Sequence, residues 1–128
     1  MIDHTGINVA DLALSKRFYD AALAPLGYSA RLVFEVAVGY GAKDPEGGDD
    51  PGGDFWISQG DPFVPRSHIA FRATSAAQVV AFHAAALAAG ARDNGAPGLR
   101  PAYHPNYFAA FVLDLDGYNI EAVFHGGC

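Results

Sequence analysis

Three side chains able to bind a metal ion, His4, His68 and Glu121, stand where strand alternation can turn them to one side. Residues two apart on a strand share a face. Ile7 and Val9 claim one face of the first apolar-polar run, which leaves His4, Gly6 and Asn8 on the other. Ile69 and Phe71 likewise leave His68, Ala70 and Arg72, and Ile120, Ala122 and Phe124 leave Asn119, Glu121 and Val123. Two imidazoles and one carboxylate with positions left open are the set that holds catalytic non-haem Fe(II), and they also suit Zn, Mn or Ni. The competing reading makes both histidines partly buried strand residues paired with neighbours, with Glu121 exposed at a sheet edge. Trp56, between Phe55 and Ile57, points to the same side. Its indole N–H only donates, so at most three protein ligands are available.

The elements that position these groups come from a repeat. A shift of 64 residues lays His4 on His68, Asp11 on Ser75 and Phe18 on Phe82, and Gly27 meets Gly90 once one residue is deleted. The chain therefore divides into two similar modules, about 1–64 and 65–128, within one domain. Each opens with a strand, over residues 2–9 and 68–72, followed by a residue able to cap a helix, Asp11 or Ser75. Leu14, Phe18 and Ala22 in one module, and Val79, Phe82, Ala86 and Leu87 in the other, fall at helical spacing, and Gly27 and Gly90 end the two helices. Strands are then predicted over 28–35, 36–41 and 55–58, and over 91–94, 107–114 and 119–125. The expected architecture is α+β: paired βαβββ modules with curved mixed sheets around a cavity.

Two connections differ in chemistry. Residues 43–54 are acidic and glycine-rich, which predicts a solvated hairpin loop. Residues 95–106 carry Pro97, Pro101 and Pro105 together with Arg100, Tyr103 and His104, a mixture suited to lining a site, and the loop is expected to fold over the cavity mouth. Asp116-Gly117 reads as a tight turn between two strands.

Composition excludes several function classes. The 128 residues are 51% hydrophobic and 17% charged, as for one compact domain. Fourteen acidic against eight basic residues leave a net charge of -6, which disfavours nucleic acid and anionic membranes as partners. No apolar run reaches the length of a membrane span and no signal peptide is apparent, so a cytoplasmic location is expected. The single Cys128 allows no internal disulfide.

On the stretches Asp3-His4-Thr5, Phe18-Tyr19, His68-Ile69-Ala70-Phe71 and, most specifically, Asp114-Leu115-Asp116-Gly117-Tyr118-Asn119-Ile120-Glu121, the sequence resembles the vicinal oxygen chelate superfamily of glyoxalases, bleomycin-resistance proteins and extradiol dioxygenases. The resemblance implies a glyoxalase-like fold, frequent dimerisation, and a divalent metal held by residues of the first, fourth, fifth and eighth strands. His4, His68 and Glu121 match three of those positions. Trp56 stands at the fourth, where glyoxalase I has a carboxylate or similar ligand, so glyoxalase I activity is not expected.

The leading expectation is a small metalloenzyme of lyase, isomerase or dioxygenase type acting on a small molecule. Tyr103 and His104 are its candidate proton-transferring or orienting groups, and Trp56, Tyr107 and Arg100 its candidate substrate contacts. Arg72 is a weaker candidate, and His83 and His125 are read as structural or exposed. The alternative is a metal-free protein of the bleomycin-resistance kind that holds a drug or aromatic metabolite, for which Phe, Trp and Tyr at 12% of the chain would supply the pocket.

Overall fold

Asp11 and Ser75 start the two helices by accepting backbone N–H groups of the first turn, Asp11 Oδ1 from Leu14 at 3.0 Å and Ser75 Oγ from Gln78 at 3.2 Å. The computed structural model describes residues 1–43 and 51–128. Helix α1 runs over Leu12–Leu23 and tightens into a single 3₁₀ turn, Ala24–Leu26, which Gly27 closes at φ +81. Helix α2 covers Ala76–Ala88. The buried stripe of α1 is Ser15, Phe18, Tyr19, Ala22 and Leu23, so the expectation that Leu14 shares it is corrected. Leu14 is 46% exposed.

Eight strands complete two βαβββ modules: β1 (Thr5–Val9), β2 (Tyr28–Val33), β3 (Ala37–Ala42) and β4 (Phe55–Gln59), then β5 (His68–Arg72), β6 (Arg92–Leu99), β7 (Phe108–Leu113) and β8 (Asn119–Phe124). They form two mixed four-stranded sheets, ordered β1-β4-β3-β2 and β5-β8-β7-β6. The first strand of each is parallel to its neighbour and the other pairs are antiparallel. This is the expected α+β, glyoxalase-like architecture. Register makes the repeat concrete. Gly6 stands opposite Trp56 as Ala70 stands opposite Glu121, so Trp56 occupies in the first sheet the place of Glu121 in the second.

The sixth strand differs most from the sequence reading, which gave it residues 91–94. It continues to Leu99 because it lies at a sheet edge, where Pro97 forfeits no ladder bond, and because its pairing with β7 is irregular on both sides of Gly95. The loop predicted over 95–106 is therefore half strand. The acidic connection falls largely on residues 44–50, outside the described residues.

The helix-side faces of the two sheets meet in one core. Phe71 of β5 packs edge-on against Phe55 of β4 at 5.1 Å and against Tyr28 at 5.9 Å between ring centroids. The modules are also pinned by polar bonds. Tyr19, fully buried in α1, donates to Asp114 Oδ2 at 2.5 Å, and Tyr118 donates to the carbonyl of Asn8 at 2.6 Å. The polar faces carrying the predicted site residues consequently point away from this shared core. Among the described residues no helix is long and apolar enough to cross a membrane.

Candidate functional site

On the polar face of the second sheet, Glu121 of β8 is only 2% exposed, although carboxylates are almost never buried without partners. Both of its oxygens are engaged. Oε1 lies 2.9 Å from His68 Nε2 on the neighbouring strand, and Oε2 accepts the hydroxyl of Tyr107, which leads into β7. His68 Nδ1 lies 2.9 Å from the carbonyl oxygen of Asn119. A carbonyl only accepts, so Nδ1 carries the proton. A neutral His68 then turns the lone pair of Nε2 towards a carboxylate that also only accepts. Such a contact requires a cation between the two atoms, either a second proton on the ring or a metal ion.

The donor set fits a metal. Two adjacent ligands about 2.1 Å from an octahedral ion stand about 3.0 Å apart, close to the observed His68–Glu121 separation. A carbonyl at the far nitrogen is also the usual outer partner of a ligating histidine, since it fixes tautomer and ring orientation. His4 is prepared in the same way. Its Nδ1 lies 2.6 Å from Asp3 Oδ1, an arrangement that keeps the proton on Nδ1 and the lone pair on Nε2. Yet His4 precedes β1 on the other sheet, and among the described residues no group of three His, Cys, Asp or Glu side chains gathers closely enough to hold an ion. One chain brings His68 and Glu121 together and leaves His4 apart.

Tyr107 is the hub of the remaining groups. Burial and the Glu121 carboxylate push its phenol up to about 12, so it stays protonated and able to donate. Tyr103, His104 and His125 surround its ring at centroid distances of 4.9, 5.3 and 5.4 Å. The turn between β6 and β7 thus brings Tyr103 and His104 to Tyr107 and not to Glu121 itself, and Tyr103 remains 64% exposed. His104 Nδ1 accepts the backbone N–H of Asn106 at 3.1 Å, which leaves the ring proton on Nε2 to be donated to His125 Nδ1 at 2.9 Å. With that tautomer His104 offers no lone pair at Nε2 and is not a metal donor in this arrangement. His125 escaped the sequence reading because its partner is 21 residues away and no spacing marks the pair.

Arg100 closes one side. Its guanidinium lies 5.3 Å from the centroid of Phe111, donates to the carbonyl of Ala96 at 2.7 Å, and fits because Gly95 and Gly98 have no side chains. A Cβ at Gly95 would come within 3.1 Å of Arg100 Nη2. Phe111 also faces His68, at 6.3 Å between centroids. Trp56 lies on the first sheet, its ring flat over Gly39 and stacked with Phe34 at 6.1 Å and 9°.

Comparison with known proteins places this geometry in a family. The model of the glyoxalase/bleomycin resistance protein/dioxygenase superfamily matches residues 1–122. No curated protein matches the chain significantly. Among solved structures, a glyoxalase/bleomycin resistance protein from Albidiferax ferrireducens T118 is similar at 29% identity and a TM-score of 0.76, over 95% of this chain and 96% of that one. A glyoxalase-related enzyme from Fulvimarina pelagi shares the fold at 17% identity and a TM-score of 0.69, covering 97% and 87% of the two chains. A glyoxalase I mutant from Zea mays does so at 19% identity and a TM-score of 0.67, covering 95% of this chain and 46% of that one.

Proposed function

The chain belongs to the glyoxalase/bleomycin resistance protein/dioxygenase superfamily, and from that premise we propose that it is a divalent-metal-dependent enzyme for a small molecule, of lyase, isomerase or dioxygenase type. The observation that carries the reading is the facing pair of acceptors, His68 Nε2 and Glu121 Oε1, with the histidine tautomer already set by Asn119. His68, Glu121 and His4 are the proposed ligands, for Fe, Zn, Mn or Ni. His4 comes from a second copy: a two-fold dimer can lay the first sheet's polar face of each chain over the second sheet's polar face of the other, twice over. The exposed Val33, Phe34 and Val36 beside Trp56 give that first face an apolar rim suited to burial.

An ion held by His68, Glu121 and the second copy's His4 would supply Lewis acidity to substrate oxygens. Tyr107 holds a proton on its hydroxyl beside Glu121 and is placed to offer it to a substrate bound there. Tyr103 and His104 orient Tyr107 and shield its ring from water. Arg100 on Phe111, with Trp56 across the dimer, frames the substrate.

Metal analysis of protein purified without chelator tests the reading. About one ion per chain is expected in the wild type, with loss in His4→Ala, His68→Ala and Glu121→Ala. Unchanged content in all three variants sinks the ligand assignment, and a wild type that neither carries nor takes up metal makes the protein a metal-free binder of small molecules instead.

A further inference from the structure

Between the two modules, along β1, β4 and β5, lies a cleft of about 520 Å³ that contains none of the proposed metal ligands and, of the candidate substrate contacts, only Arg72. Its floor is aromatic and aliphatic: Tyr28, Phe55, Phe71 and Ile69. Phe55 and Phe71 are buried beneath it, packed edge to face with each other and, through Phe71, with Tyr28, so the half-buried Tyr28 and Ile69 present its apolar surface. Both volume and lining suit a small organic molecule, since ligand cavities are typically roughly 300–1,000 Å³, mostly apolar, and frequent at module junctions.

Charge decides which molecule. The acidic groups of the lining are already answered: Asp54 accepts the hydroxyl of Tyr28, and Asp3 sits against His4 Nδ1. Arg72, at the end of β5, lines the same cleft, and its guanidinium has no hydrogen-bond or ion-pair partner among the described residues. It also lines a second, smaller hollow with Thr74 and Phe124, so it stands at an open end and not within the packed core. A planar guanidinium beside an apolar floor is built to take a carboxylate on an aromatic body, through two parallel N–H···O bonds. We infer that this cleft is a second ligand site, apart from the His68–Glu121 pair, that binds an aromatic carboxylate with its ring against Tyr28 and Ile69 and its carboxylate on Arg72.

Phenylacetate and its uncharged counterpart phenylacetamide are the probes, titrated into the full-length protein while the ring resonances of Tyr28, Phe55 and Phe71 are followed by NMR. The acid is expected to shift those resonances saturably, and the amide to bind at least about tenfold more weakly. Arg72→Gln, an exposed substitution compatible with the fold, is expected to bring the acid down to the affinity of the amide, whereas His68→Ala leaves both unchanged. Equal affinity for acid and amide overturns the proposal. So does an undiminished affinity in Arg72→Gln, an absence of binding at millimolar probe, or shifts that fall on Tyr107 and Phe111 and vanish in His68→Ala.

Discussion

His68 Nε2 stands 2.9 Å from Glu121 Oε1 across the parallel pair β5–β8, and because His68 Nδ1 already donates to Asn119 this contact calls for a second ring proton or a metal ion between the two atoms. Either way the pair is a socket for positive charge. The second histidine of the repeat, His4, carries the matching Nδ1 acceptor but belongs to the other sheet.

That separation makes subunit mixing informative. His4→Ala and His68→Ala are each expected to be folded and metal-free. Unfolding and refolding them together gives dimers of which about half contain one of each, and every such dimer has one intact site. Metal content should rise to about one ion per four chains. A mixture as empty as its components would show that His4 is not delivered by the second copy.

Tyr107 should ionise late. Burial first, then the bond to Glu121, raises its phenol to about 12, above the ordinary value near 10. Because the folded value is the higher one, the stability tied to this group is fully present below pH about 10 and is lost as pH rises through about 12. Ultraviolet titration of the wild type against Tyr107→Phe should isolate one phenol step near pH 12, since Tyr19 and Tyr40 are raised further still by burial and their carboxylate partners and are common to both proteins. In Glu121→Gln the Tyr107 step should move down towards 10. No such step in the wild type would mean that the Tyr107–Glu121 contact does not persist in solution.

Isomerisation of the hemithioacetal of methylglyoxal and glutathione should be absent. Trp56 fills the position equivalent to Glu121, opposite Gly6 as Glu121 is opposite Ala70, and an indole neither binds a metal nor exchanges a proton at neutral pH. Turnover clearly above a protein-free control in a spectrophotometric assay would contradict this.

The bond between the modules should cost stability when cut. Tyr19→Phe removes the donor to Asp114 Oδ2 in a fully buried setting, and a loss of about 1–3 kcal/mol is expected in denaturant unfolding. Asp114→Asn should cost less at neutral pH, because its Oδ1 can still accept from Asp116 and Tyr118 while its amide donates to Tyr19. Burial raises the carboxyl of Asp114 above its ordinary range, so the wild type should lose stability as pH rises through that raised value. Asp114→Asn should flatten that slope, and an equal slope in both proteins would assign it to other groups.

The sequence alone determined the repeat, the order of elements and the face on which each strand residue lies. Those follow from local rules, alternation along strands and capping at Asp11 and Ser75, that act within a few residues. It therefore put His68, Glu121 and Trp56 on their correct sides. What the tertiary structure decided is which faces meet. The sequence reading assumed that the polar faces look into a common cavity, but the apolar faces do the meeting, because Phe55 and Phe71 from different modules gain more by burying against each other than polar faces could. His4 is thereby parted from His68. Likewise the pairing of His104 with His125, the docking of Tyr107 on Glu121 and the extension of β6 past Pro97 depend on neighbours distant in sequence and on an edge position, and neither leaves a periodic trace in the chain.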